Sequence, residues 1–391
     1  MSALQVYDPR ERALVSAADR IMATAAAVVR PFRRRAPSAD PRRILLLRIE
    51  RIGDLVMTLP AIHDVRALAP EAEIDLVVGG WNQSLARALP AVTGVETLDA
   101  EWLSRDGAGL ATPQLLRAAW RWRARRYDLA INFEPDVRSN LMVAAAGAAW
   151  TAGFRSGGGG PLLDVALDYD RKAHTTDNAR RLVANVFQRT IPAAPRRLIE
   201  IPEASACDAA RRLEGRGRPL VGIHASGGRE IKQWAPERFA DTARRLIERR
   251  GATIVLTGAA TDRPLVMRVK EGLPLDHVVD ASGDLDLLEL AAVLQRLDLF
   301  VTGDTGPMHL AAAMQTPIVA VFGPSDPTRY APRSPLDRIV RIDLPCSPCN
   351  RIRLPPERCR GHIPDCLARV SVPDVADAAM SVLDAATGRR P

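Results

Sequence analysis

Apolar residues fall along this chain in short solid runs, separated by longer stretches in which they recur at helical spacing. Ile44-Leu-Leu-Leu-Arg-Ile49 is the first solid run, Arg51-Ile-Gly-Asp54 is a glycine turn, and Leu55 to Leu68 carries the helical spacing. Together they predict a buried strand, a tight turn and a helix. Further strands are expected at Ile74–Val78, Leu129–Phe133 and Trp150–Phe154, with helices over 82–89, 112–126, 136–147 and 177–190. Such alternation is that of a doubly wound α/β domain. Prolines from Ile191-Pro-Ala-Ala-Pro195 to Ile201-Pro-Glu203 interrupt the pattern, and it restarts at Leu220–His224. Strands then follow at Thr253–Thr257, Leu299–Thr302 and Pro317–Phe322, with helices over 262–272, 285–297 and 305–314. The expected organisation is a basic amphipathic arm over 1–43, a first α/β domain over 44–195, a linker over 196–217 and a second α/β domain over 218–391. Two such domains facing one another leave a central cleft at the carboxyl ends of their sheets, where ligands bind.

Composition sharpens this picture. With 47% hydrophobic but only 4% aromatic residues among 391, the cores must be built of Ala, Val, Leu and Ile, which excludes a collagen, a disordered chain and a disulfide mini-protein. The net charge is +8, yet only three of the 54 basic residues are lysines, Lys172, Lys232 and Lys270, so a lysine inside a motif is informative. The longest apolar runs, Ala23–Val29 and Ile318–Phe322, fall far short of the roughly 20 residues that span a bilayer. Asp8, Glu11 and Asp19 in the first thirty residues do not read as a secretory signal, which leaves the cytoplasm as the expected compartment. Nucleic acid is not an expected partner, because Phe and Tyr are scarce and no zinc-finger, RRM or helix-turn-helix pattern appears.

Two segments carry candidate chemistry. In Val301-Thr-Gly-Asp-Thr-Gly-Pro-Met-His309 a strand ends at a glycine turn and a helix begins, so Asp304, Thr305 and Gly306 stand at a helix N-terminus suited to phosphate, with His309 one turn in. The plainer reading is that Asp304 and Thr305 cap that helix. In Gly222-Ile-His-Ala-Ser-Gly-Gly-Arg-Glu-Ile-Lys-Gln-Trp-Ala-Pro-Glu237 a strand opens into a small-residue loop through Ser226 and Gly227, and Lys232 offers an ammonium to a diphosphate. A surface lysine beside a structural tryptophan is the alternative.

These segments, with Arg48-x-x-Arg-Ile-Gly-Asp54, Thr58-x-Pro60 and Phe322-Gly-Pro-Ser-Asp326, resemble the heptosyltransferases, glycosyltransferase family 9, over about residues 44 to 380. The resemblance implies a GT-B architecture of two Rossmann-like domains, the first on the acceptor side and the second binding the nucleotide sugar. It also implies an inverting, metal-independent transfer from a nucleotide diphosphate sugar, typically ADP-heptose, to lipopolysaccharide core or another glycan or lipid-linked acceptor. The family's catalytic aspartate falls on Asp54, its phosphate-contacting lysine on Lys232, and its nucleotide contacts on Asp304, Thr305, Gly306 and His309. A further family acid maps only loosely onto Asp262. Chemistry agrees for Asp54, since inversion needs one carboxylate to take the acceptor's proton. Asp284 and Asp286 spell a metal motif but precede a helix and read as caps. Rival readings are a different donor sugar, an epimerase-like reaction on the same fold, or a non-catalytic sugar-nucleotide-binding protein.

Three features stand apart. Leu14, Ala18, Ile21, Ala25 and Val28 form a helical stripe followed by Arg30, Arg33, Arg34 and Arg35, which reads either as a peripheral anchor on anionic membrane or as a face packed on the protein itself. Arg117-Ala-Ala-Trp-Arg-Trp-Arg-Ala-Arg-Arg126 reads as a solvated basic face with two buried tryptophans. Cys346, Cys349, Cys359 and Cys366, inside the proline-rich segment 345–367, are candidate ligands for a structural zinc or iron, with His362 as a substitute ligand, against disulfides or free thiols. No cofactor is expected for catalysis.

Overall fold

The structure, a computed structural model, describes residues 4–6, 8–29, 40–104, 107–191, 193, 197–283 and 285–387. Two compact units divide the chain, Met1–Ile199 and Glu200–Pro391.

In the first unit the order is α1 (Pro9–Val29), β1 (Arg43–Arg48), α2 (Ile52–Leu68), β2 (Glu73–Val78), α3 (Gln83–Arg87), β3 (Gly94–Thr97), α4 (Thr112–Arg121), β4 (Leu129–Asn132), α5 (Val137–Ala145), β5 (Trp150–Phe154), β6 (Val165–Leu167) and α6 (Thr175–Phe187). The six strands form one parallel sheet in the order β3-β2-β1-β4-β5-β6. Leu45, Leu46 and Leu47 are at most 1% exposed, which is why β1 is a solid apolar run and does not alternate. Strand order reverses between β1 and β4, so the residues that leave those two strands flank the crevice where this fold binds ligands.

The second unit repeats the plan with α7 (Glu203–Arg212), β7 (Leu220–His224), α8 (Pro236–Arg250), β8 (Thr253–Leu256), α9 (Arg263–Lys270), β9 (Val278–Asp280), α10 (Leu287–Arg296), β10 (Leu299–Gly303), α11 (Gly306–Ala313), β11 (Ile318–Val321), α12 (Pro327–Tyr330), β12 (Arg338–Val340), α13 (Asp365–Ala368) and α14 (Val372–Thr387). Its parallel sheet runs β12-β11-β10-β7-β8-β9, so its reversal lies between β7 and β10.

Some expectations need correction. The stretch 196–217, read as a linker, holds α7, an alanine-rich helix that packs on α10, where Arg296 donates to the Ala206 carbonyl at 3.3 Å. Prolines on its N-terminal side masked a helix that starts directly after Pro202. Of the two tryptophans in the basic aromatic segment, Trp122 is buried, with its indole N–H on Glu96 at 2.7 Å. Trp120 is 60% exposed, with the Arg123 guanidinium 4.2 Å above its ring.

Helix α1 docks through one face. Val15 is 8% exposed against Gly158, and Asp19 accepts the Gly159 N–H at 2.6 Å. This loop needs its glycines, because a Cβ at Gly157 would lie 1.9 Å from the Pro135 carbonyl oxygen and Gly158 has φ +99°. Leu14 and Ile21, from the apolar stripe, are instead 71% and 72% exposed. Arg30, Arg33, Arg34 and Arg35 lie outside the described residues.

A buried ion pair joins α2 to α6. Asp64 is fully buried and takes Arg180 at 2.7 and 3.0 Å. Removing the arginine strands a buried carboxylate, so Arg180→Ala should cost about 3 kcal/mol, toward the low end for a broken buried pair because Arg180 itself is partly exposed. Urea unfolding of the full chain checks this, and a loss under about 1 kcal/mol contradicts it.

Candidate active site

Asp54 sits in the first turn of α2, directly after β1 at the strand-order reversal. Its side chain is 28% exposed, and Arg48 Nη2 lies 3.2 Å from Oδ1. Arg48 is 3% exposed, donates to the Phe133 carbonyl at 2.8 Å and pairs with Glu50 at 3.2 Å. Burial alone would favour loss of its proton, but the carboxylates of Glu50, Asp54 and Glu134 outweigh burial and hold the guanidinium charged. The result is a carboxylate oriented by a fixed cation while still reachable by a solute. Thr58 ties the first turn down by donating to the Asp54 carbonyl at 2.8 Å.

In the second unit β7 and β10 are neighbours, with His224 opposite Thr302, and so the loops leaving both strands lie side by side. Lys232 ends a short turn over Glu230–Lys232, pinned by Trp234, which is 1% exposed, stacks edge-on against Phe239 at 4.9 Å and donates to the Val370 carbonyl at 3.2 Å. Its ammonium lies 2.6 Å from Asp304 Oδ2. Asp304 is 7% exposed; burial would raise its pKa, but Lys232, His309 and the Ser325 hydroxyl prevail and hold it below the usual carboxylate range. His309 Nε2 is 4.0 Å from the other Asp304 oxygen. Thr305 caps α11 by accepting the Met308 N–H at 3.2 Å, whereas Asp304 is spent on Lys232. The capping alternative therefore holds for one residue of the two. Ser226 is 8% exposed in the loop after β7, and Gly227 has no room for a side chain, since a Cβ there would lie 2.9 Å from the Lys232 carbonyl carbon. Gly306 opens α11. The second unit thus gathers Ser226, Gly227, Lys232, Asp304, Thr305, Gly306 and His309 at its strand-order reversal, while Asp54 occupies the matching place in the first unit.

Other polar residues take structural places. His174 accepts the Thr176 N–H at 3.2 Å as the cap of α6. Asp262 accepts the Ala259 N–H at 2.9 Å. Asp286 caps α10 through Leu288 and Glu289, and Asp284 lies outside the described residues. His224, 5% exposed, keeps Nδ1 at 3.1 Å from the Thr257 carbonyl; burial lowers its pKa against the opposing pull of Asp262 and Thr257. Sequence reasoning gave Arg48 no role and missed Glu134, Asn132 and Ser325. Polar residues at the end of a solid apolar strand, as in Ile131-Asn-Phe-Glu134, were the available signal.

The cysteine segment does not fit the expected metal. All four thiols are free, Cys346 exposed and Cys366 buried, and among the described residues no group of three or more His, Cys, Asp or Glu is arranged to hold an ion. Burial, then the neighbouring Cys349, Cys359 and Cys346, push the Cys366 thiol up to about 11. Hydrogen bonds and packing hold the segment instead. Ser347 donates to the Gly323 carbonyl at 2.7 Å, Asn350 N–H to the Pro324 carbonyl at 2.8 Å, and Leu367 is fully buried in the unit's core.

The family model for glycosyltransferase family 9 (heptosyltransferase) matches residues 116–357, more than half of the chain. The chain belongs to this family. Within it, lipopolysaccharide heptosyltransferase 2 of Salmonella typhimurium is 25% identical over 315 residues, 77% of this chain and 88% of its own. The crystal structure of a glycosyltransferase family 9 protein from Veillonella parvula superposes with a TM-score of 0.75 at 25% identity, covering 90% of this chain and 99% of its own. The ADP-heptose lipopolysaccharide heptosyltransferase II of E. coli shares the fold at a TM-score of 0.70 and 22% identity, over 88% of this chain and 99% of its own. The family 9 protein described here is accordingly a glycosyltransferase with the GT-B fold, and no helix among its described residues is long and apolar enough to cross a membrane.

Proposed function

We propose that this family 9 enzyme moves a heptose from ADP-heptose onto a lipopolysaccharide-core acceptor, with inversion and without a catalytic metal. The observation that carries the reading is the Asp54 carboxylate, oriented by buried Arg48 yet partly exposed at the end of a switch-point strand. A carboxylate so placed can take the proton of an acceptor hydroxyl as its oxygen bonds to the anomeric carbon. The donor loses its diphosphate as positive charge builds on the sugar, and fixed positive groups at the departing phosphates stabilise that change. Lys232 supplies one: Asp304 occupies a single direction of its ammonium, which has three N–H donors, and the side chain is 19% exposed. The N-terminal turn of α11 supplies main-chain donors beside it. With these charges in place a divalent cation is unnecessary. The similar E. coli enzyme is an ADP-heptose lipopolysaccharide heptosyltransferase and the Salmonella relative a lipopolysaccharide heptosyltransferase, which supports this donor and acceptor. Nucleotide release from a panel of ADP-, UDP- and GDP-linked sugars tests the donor: saturable release from ADP-heptose alone supports it, and preference for another base overturns it.

The same reading puts the enzyme on the inner face of the membrane, held by its N-terminal arm. Leu14 and Ile21 point away from the surface on which α1 docks, and each arginine after the helix adds about 1 kcal/mol against anionic lipid. In liposome flotation the full chain should float with anionic vesicles and a chain lacking residues 1–40 should not. Equal partitioning of the two contradicts the anchor.

A further inference from the structure

The end of β4 meets the end of β1 across the strand-order reversal, with Leu47 opposite Asn132. Two residues on, Glu134 is 1% exposed and turns its side chain back toward β1. Its Oε1 accepts the main-chain N–H of Ile49 at 2.5 Å and of Glu50 at 3.0 Å, the residues that carry the chain out of β1 toward Asp54. The preceding carbonyl, of Phe133, receives Arg48 at 2.8 Å, and Arg48 in turn reaches Asp54. Glu134 is itself fixed: its N–H donates to Asn132 Oδ1 and its carbonyl accepts from Asn132 Nδ2, both at 3.0 Å. Asn132 also reaches Asn140 Oδ1 at 2.7 Å, and Asn140 donates to the carbonyls of Phe154 and Gly158. The turn bearing Asp54 is therefore clamped to a buried polar network rooted on three neighbouring strands.

We propose that Glu134 is a positioning residue for the transfer, fixing the turn that sets Asp54 against the acceptor hydroxyl by holding the Ile49 and Glu50 N–H groups. This rests on Asp54 being the base. Glu134 has no surface through which to touch a substrate, so its effect passes through the turn. Burial, then the Glu50 carboxylate, raise its pKa well above the usual range, with Asp136 adding to them and Arg48 and the Ile49 N–H opposing. The task needs only one oxygen, since Oε1 accepts both N–H groups, and a glutamine amide offers the same oxygen at the same reach without the charge.

Two substitutions separate geometry from charge. Glu134→Asp keeps the acid and withdraws the acceptor by one methylene, and a displacement of that order costs up to roughly 100-fold in a positioned reaction. It should lower kcat about 10- to 100-fold while KM for the donor and the affinity for ADP stay near those of the unaltered enzyme. Glu134→Gln should rescue kcat to within about threefold, because the acceptor is restored. Unchanged kcat in Glu134→Asp, or an equal fall in Glu134→Gln, overturns the proposal. Should Glu134→Asp fail to fold, Glu134→Met, of similar length but without a strong acceptor, takes its place with the same outcomes. Asp54→Asn measured alongside distinguishes the failures: if it retains turnover the base assignment falls, and if it is inactive while Glu134→Asp is unimpaired only the positioning role falls.

Discussion

Asp54→Asn is expected to lower turnover by roughly 100- to 10,000-fold, the range for removing a general base, with the affinity for ADP changed by less than about twofold. The asymmetry follows from where the group acts. Asparagine keeps the size of the side chain and an oxygen that can accept from Arg48, which lies 3.2 Å from Oδ1. It cannot take a proton from an acceptor hydroxyl, so on the proposed mechanism bond formation loses its base, while the groups proposed for the donor's diphosphate belong to the second unit and are untouched. Steady-state turnover and calorimetric titration with ADP decide the matter together. Turnover above about a third of the unaltered value would remove Asp54 from the role, and a parallel loss of ADP affinity would point to a fault in folding.

Lys232→Ala is expected to lower turnover by roughly 100- to 1,000-fold, the scale of losing one fixed donor at developing charge, and to weaken ADP as well. An ammonium at the diphosphate meets charge that is present in the bound donor and grows in the transition state, so both quantities fall. There is a stability effect in addition. Lys232 is what chiefly overcomes burial to hold Asp304 below its ordinary pKa, and a depressed carboxylate stabilises the fold above its unfolded pKa and loses that contribution as pH falls through the folded one. Lys232→Ala should therefore melt lower than the unaltered protein near neutral pH, with the gap closing below about pH 4. Unchanged ADP affinity by calorimetry would take Lys232 out of the nucleotide site.

Most of the doubly wound pattern was legible because its strands are buried on both faces and so appear as solid apolar runs, as Leu45 to Leu47 do. Gly53 and Gly303 marked the β1–α2 and β10–α11 junctions, both at strand-order reversals. Pairings across the sheet were not legible. Lys232 and Asp304 are far apart in sequence and meet only because β7 and β10 are neighbours, which no local pattern encodes. Glu134 escaped for the same reason, its partners Ile49 and Glu50 lying on the far side of the reversal. The helix α7 was lost to a proline signal that marks the start of a helix as readily as the end of one. Spacing suggested a metal at Cys346, Cys349, Cys359 and Cys366, but among the described residues no group of three or more ligands is arranged to hold an ion, and the loop is held by Ser347, Asn350 and Leu367.

The most direct test of the account is the stereochemistry of transfer. Purified enzyme, ADP-heptose of defined anomeric configuration and a heptose-deficient lipopolysaccharide core are incubated with excess EDTA, and the anomeric proton of the product is read by NMR. The account predicts stoichiometric ADP release and a new glycosidic linkage of inverted configuration, formed at the same rate with and without the chelator. Retained configuration, or transfer that stops when the chelator is added, contradicts it.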